Sequence, residues 1–323
     1  MQLLYARQVS CRGAAGLSLC AAQRTATLAS HALGTSRRSQ PTSASLARRW
    51  YAVDLRALDG KWRQAWKTSD DAPRKWVIRS DSVVPTLGIN DPLLFFSLPP
   101  DLTAFTGFDA LCHASETYFS PRANPHARSL DGKAIQFVAA NLREAVARPV
   151  NYEARVGMMW AQYLAAIAFM SGGLGVVHAI SHAVSAYYDT HHGLNCGIIL
   201  PRAWADAARA NPRTVAEIAA LMGEETAGLS PARAADLAVE AMIRLLRDVE
   251  APENFVSIAA YTKSRMGIGQ YAEWGGTRFV GDDADIERIV THVMEEGPIA
   301  NSAHVITAAR ARRLVAASMR EPL

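Results

Sequence analysis

The sequence predicts a mainly α protein, and three observations point that way. From about residue 103 onward, apolar residues recur with a helical period in stretch after stretch. Cap-forming residues stand at the starts of several stretches, and no alternating run of comparable strength follows. Half of the 323 residues are hydrophobic, enough for a sizeable buried core, and at roughly 150 residues per domain the length admits about two domains.

Residues 1–53 contain no Asp, Glu or Lys but hold seven Arg, at positions 7, 12, 24, 37, 38, 48 and 49. With residues 1–49 removed, 27 basic residues face 30 acidic ones, so the formal +4 of the whole chain belongs to this leader. Its Arg-, Ser- and Ala-rich composition without acids is that of an organellar presequence, which predicts mitochondrial import with processing near Arg49 and the matrix as destination. A disordered tail or wrongly translated exon on a cytoplasmic protein is the alternative. A secretory signal fits poorly because Arg12 interrupts the apolar stretch. The remaining charge is too small and dispersed for a nucleic-acid binder.

Residues 54–71 are charged and Trp-bearing without clear period. Lys75-Trp76-Val77-Ile78-Arg79 reads as a short strand, and the stretch containing Pro85, Gly88, Pro92, Pro99 and Pro100 reads as turns around extended pieces. Helical patterns follow at about 105–119, 130–147, 152–170, 174–187, 194–209, 213–221, 231–248 and 283–296, with another near the C-terminus. Asn151, Ser230-Pro231 and Asp282-Asp283 mark three of the starts. Val156 to Tyr188 lacks any charged residue and exceeds the roughly 20 residues that span a bilayer. Polar residues and the Gly172-Gly173-Leu174-Gly175 break divide it, so it reads as two helices at the centre of a bundle rather than a membrane span. Cys11 and Cys20 fall in the leader, leaving Cys112 and Cys196 as two packing thiols in a reduced compartment.

Asp109 and His113 are four apart in a helical pattern, so their side chains leave one face. His178 and His182 repeat that spacing, and His192 follows beside Gly193, where a helix-ending turn could swing its ring toward the bundle. One carboxylate and several imidazoles delivered by separate helices suit a divalent ion such as Fe(II) or Zn(II), with a coordination position left for a substrate oxygen. A lone histidine on an apolar helix is usually a satisfied core residue. Several in one uncharged core weaken that reading, because each unpartnered polar group would cost about 1–3 kcal/mol. A zincin is excluded, since Ala179 stands where its glutamate belongs, and the Gly-rich break lacks the Lys-Ser/Thr of a P-loop.

At these residues the sequence resembles the iron-containing, or group III, alcohol dehydrogenases. The segments TGFDALCHASETYFS and SGGLGVVHAISHAVSAYYDTHHGLNCGIILP carry the resemblance, including the fourteen-residue separation of His178 and His192. The wording SHAVSAYYDTHHGLN is most similar to the branch of methanol dehydrogenases that use an artificial nitroso acceptor. The resemblance implies a divalent metal, Fe(II) with Zn(II) or Mg(II) as alternatives, held by Asp109, His113, His178 and His192. It implies NAD(P) as second cofactor, His182 beside the nicotinamide as proton relay, and Lys75 as a dinucleotide contact. It also implies oxidation of a small primary alcohol to its aldehyde in a homo-oligomer. Phe105, Phe169, Tyr187 and Tyr188 are candidate pocket-lining residues, with plain core as the commoner role for such rings.

The resemblance covers about residues 74–310, with residues 91–107 as the hinge between domains. Family members carry a Gly-Gly-Gly-Ser phosphate loop in an N-terminal α/β domain, and this chain has none. The expected organisation is therefore a leader at 1–49, a truncated remnant of an α/β dinucleotide-binding domain at 50–103, and an all-helical metal-binding domain at 104–323. That departure keeps open a catalytically silent metal scaffold or truncated gene product without NAD binding, and the leader raises a further reading, a mitochondrial hydroxyacid-oxoacid transhydrogenase of the same family.

Overall fold

A computed structural model describes Lys75 and residues 88–188, 190–258, 260–261 and 281–323. The leader, the expected strand beyond Lys75 and the rest of the expected α/β remnant up to residue 87 lie outside the described residues. Those from Phe95 to Leu323 form one compact unit, and among the described residues of that unit the regular structure is helical. The helices, in chain order, are α1 (Pro100–Phe119), α2 (Pro125–Ala147), α3 (Tyr152–Gly172), α4 (Val176–Tyr188) and α5 (His192–Ala210). They are followed by α6 (Pro212–Leu221), α7 (Pro231–Asp248), α8 (Asp283–Glu295) and α9 (Ala308–Arg320).

Every helical stretch expected from periodicity is present, and the differences lie at the starts. α1 begins at Pro100 rather than 105 and α2 at Pro125 rather than 130, because a proline at the first helical position is pre-set for the helix before the apolar period begins. The Asn124 side chain accepts from the Ala127 N–H at 2.8 Å and caps α2. The three expected caps also form: Asn151 accepts from Ala154 N–H at 3.1 Å, Ser230 from Arg233 at 3.2 Å and Asp282 from Asp285 at 2.8 Å.

α1 is the hub, packing against α2, α3 and α5. Its Phe105, Phe108 and Leu111 are buried, each worth about 1.5–3 kcal/mol by removal of apolar surface from water. α4, the most apolar helix in sequence, is buried around nearly its whole circumference, and it packs against α5 and α8. Arg155 near the start of α3 is buried, with its guanidinium donating to Pro149 O at 2.8 Å, Thr103 Oγ1 at 2.8 Å and Leu98 O at 3.2 Å. These bonds satisfy a charge that would otherwise be expensive inside, and they tie α3 to the start of α1.

No single helix among the described residues is long and apolar enough to cross a membrane. The uncharged run from 156 to 188 is bent by 104° between α3 and α4. Gly173 makes the corner at φ +76°, a left-handed conformation that other residues adopt only with strain. The last carbonyls of α3 and its cap are taken up from α1: Ser120 Oγ donates to Gly172 O at 2.6 Å and Thr117 Oγ1 to Gly173 O at 3.0 Å.

One buried group opposes the fold. Asp131 on α2 is fully buried, and neither carboxylate oxygen has a hydrogen-bond partner among the described residues. Burial pushes its carboxyl up to about 9, although Arg128 pulls the other way. Because the folded value lies above the unfolded one, the stabilising contribution is complete only below about pH 4 and is lost progressively as pH rises toward 9. At pH 7 the loss is roughly 4 kcal/mol. Asp131→Ala is expected to raise the melting temperature, with a gain that is small at pH 4.5 and grows to pH 8.5, as scanning calorimetry across that range would record.

Candidate metal centre

Asp109 lies mid-helix on α1 and aims one oxygen at three imidazoles. Its Oδ1 is 3.5 Å from His113 Nε2, 3.5 Å from His178 Nε2 and 3.3 Å from His192 Nε2. His113 comes from the same helix one turn on, His178 from α4 and His192 from the first turn of α5. The expected helix-ending turn before His192 is instead the start of α5, where the His191 ring accepts from the Gly193 N–H at 3.1 Å. Gly193 is required there: a Cβ would sit 2.0 Å from the Phe105 carbonyl oxygen. Its absence lets the start of α5 meet the α1 backbone and puts His192 beside Asp109.

Donors spaced this way fit a small divalent ion. Bonds of about 2.1 Å in tetrahedral arrangement put neighbouring donor atoms about 3.4 Å apart, and the three distances to Asp109 Oδ1 bracket that value. His113 Nε2 and His178 Nε2 are buried with no hydrogen-bond partner among the described residues, an expensive arrangement for bare imidazoles. Burial by itself would raise the Asp109 carboxyl. The His113, His192 and His178 imidazoles around it hold it well below the usual carboxylate range.

The sequence reading passed over the groups that aim these rings. Glu116, one turn beyond His113, accepts from Gly175 N–H at 2.9 Å and Val177 N–H at 2.6 Å at the start of α4, where amides and helix dipole favour an anion. The same carboxylate takes the Nδ1 proton of His178 at 2.7 Å, which directs Nε2 toward Asp109. Gly175 allows the approach, since a Cβ there would lie 2.8 Å from Glu116 Oε1. The glycine-rich break therefore seats a carboxylate as well as turning the chain. Ser181 Oγ lies 3.1 Å from His192 O and hydrogen-bonds His192 Nδ1 at 2.7 Å, and Nε2 is again the atom left for the centre.

His182 stays outside the cluster around Asp109. It is buried, its ring centroid is 5.5 Å from that of His192, and Nδ1 lies 3.0 Å from Glu296 Oε2. Glu296 continues to His292 Nε2 at 3.0 Å, giving a His-Glu-His chain in which the histidines are buried and the glutamate half-buried. Burial opposes the charge on Glu296, yet the hydrogen bonds from His182 and His292 bring it down to about 2. Of the four expected pocket-lining rings, Phe169 packs on His113 at 5.1 Å and Tyr187 on His292 at 5.7 Å, whereas Phe105 and Tyr188 are core. Lys75 is half-buried and belongs to the preceding unit of the chain. Cys112 and Cys196 are both buried and both touch histidines of this cluster.

Comparisons with known proteins show what the chain is similar to. Residues 103–272 match the family model for the C-terminal part of the Fe-containing alcohol dehydrogenase family. The chain is 47% identical over 230 residues to methanol:N,N-dimethyl-4-nitrosoaniline oxidoreductase of Amycolatopsis methanolica, covering 70% of this chain and 53% of that protein. It is 37% identical over 184 residues to the NAD-dependent methanol dehydrogenase of Bacillus methanolicus, covering 57% of this chain and 48% of the relative. Among solved structures, 1,3-propanediol oxidoreductase superposes with a TM-score of 0.64 at 33% identity, over 74% of this chain and 57% of that one. The chain thus spans about half the length of the curated relatives it matches.

Replacing Glu116 by Gln keeps its size but weakens its hold on His178 Nδ1. Metal affinity, read by competition with a chromogenic chelator, is expected to drop about 10- to 100-fold while the helical circular dichroism is retained.

Proposed function

This chain belongs to the iron-containing alcohol dehydrogenase family, and we propose that it carries out metal-dependent, NAD(P)-linked oxidation of a small, methanol-like primary alcohol to its aldehyde. The observation that carries the proposal is the convergence of three imidazole Nε2 atoms on the half-buried Asp109 carboxylate, His178 and His192 being buried and His113 half-buried. Asp109, His113, His178 and His192 would hold the ion, for which Fe(II) is the first candidate and Zn(II) or Mg(II) the others. When bound, the ion supplies a Lewis acid that acidifies an alcohol O–H, and the nicotinamide supplies the hydride acceptor.

The chain's own residues do the rest. Asp109 contributes the anionic donor and offsets much of a divalent charge in the core. Glu116 and Ser181 hold the His178 and His192 rings so that Nε2 faces inward. His182, held through Nδ1 by Glu296, takes the proton given up by the alcohol, and Glu296 with His292 offers it a path away from the centre. The dry helical surroundings exclude bulk water from the reacting atoms. The 47% identity to a methanol oxidoreductase supports a small alcohol, and the resemblance to an NAD-dependent methanol dehydrogenase supports the nicotinamide. The Arg-rich leader supports a mitochondrial matrix location.

Three measurements test this reading. His178→Ala and His192→Ala are each expected to lose metal on dialysis, and full metal content in both would refute the site. His182→Ala is expected to keep its metal while methanol turnover falls about 10²- to 10⁴-fold. NADH fluorescence titration of the metal-loaded chain should saturate. Metal retention without NADH binding would leave a silent metal scaffold.

A further inference from the structure

The cluster contains one donor more than the family resemblance assigns. Cys196 is fully buried in α5, four residues after His192, so both side chains project from one face. Its Sγ lies 3.5 Å from His192 Nε2 and 3.7 Å from Asp109 Oδ1. One atom each from Asp109, His178, His192 and Cys196 fall within 4.8 Å of one another. With metal–sulfur bonds of about 2.3 Å and metal–nitrogen or –oxygen bonds of about 2.1 Å, tetrahedral neighbours of a sulfur donor sit about 3.6 Å away. The two distances fall on either side of that value. His178 Nε2, buried and without a hydrogen-bond partner among the described residues, faces the same point.

Cys112 is the contrasting case. Its Sγ is 3.6 Å from His178 Nδ1, the nitrogen that faces Glu116. An ion on that side would have to displace the Glu116 bonds to Gly175, Val177 and His178 together. The two thiols therefore differ in kind although both are buried.

We propose that Cys196 is a metal ligand of this centre, its thiolate binding the ion together with Asp109, His178 and His192, the four groups whose donor atoms lie within 4.8 Å of one another. On binding, the S–H bond breaks, the proton leaves to solvent and a sulfur–metal bond forms, with no change of oxidation state. A thiolate makes the centre softer than an oxygen and nitrogen set and biases it toward Zn(II) and Co(II) over Mg(II). The inference rests on the metal-centre reading above.

Cobalt(II) titrated anaerobically into the metal-free full-length chain separates the two. Visible d–d bands report an ion in the centre, and a near-ultraviolet thiolate-to-cobalt charge-transfer band reports sulfur on it. Both are expected in the wild-type chain, with the near-ultraviolet band lost in Cys196→Ser and kept in Cys112→Ser. Visible bands without the near-ultraviolet one in the wild type, or its survival in Cys196→Ser, would overturn the Cys196 assignment and leave the metal centre standing. No visible bands would overturn both. Should Cys196→Ser fail to fold, Cys196→Ala carries the same comparison, and a wild type without the near-ultraviolet band overturns the assignment by itself.

Discussion

The constraint on which this helical unit depends is a carboxylate placed where carboxylates are costly. Asp109 sits mid-helix on the hub of the bundle, and an unpaired charge there would cost several kcal/mol. Imidazoles on three helices answer it, which requires α1, α4 and α5 to meet at one point. The close contacts elsewhere follow from that requirement. Gly193 lets the start of α5 touch the α1 backbone, and the 104° bend between α3 and α4 turns an uncharged run back into the core. Helices that packed only for apolar burial would have no need of either.

Around that point the chemistry repeats one device. Three of the four rings are held at Nδ1 by an oxygen from another turn or helix: His178 by Glu116, His192 by Ser181 and His182 by Glu296. Holding Nδ1 sets the ring plane and directs Nε2 inward, so orientation is settled before any ligand arrives. Glu116 does this while capping the start of α4, which ties the geometry of the centre to the path of the backbone. A side chain with two such obligations cannot be changed without disturbing both.

Much of this was legible in the sequence. Helical periodicity located the helices, because burying one face demands apolar residues every three to four positions whatever the partner. The spacings of Asp109 with His113 and of His178 with His182 declared shared faces for the same reason. The starts of α1 and α2 were less legible, since proline and asparagine signals precede the first buried residue and periodicity does not register them. Glu116 and Cys196 were visible as letters. Nothing local distinguished a buried carboxylate one turn past a histidine from a solvated one, or a thiol aimed at a cluster from a packing thiol.

By itself, then, the sequence determined the helical class, the uncharged core and the residue types that converge there, because these depend on period and composition along a single segment. Tertiary structure alone decided which nitrogen of each histidine faces the centre, which carboxylate orients which ring and which of two buried cysteines looks inward. Those facts depend on atoms from segments as far as 114 residues apart, as with His182 and Glu296. Hydrogen-bond direction over about 3 Å is a property of packed helices in space, and no one-dimensional pattern encodes it.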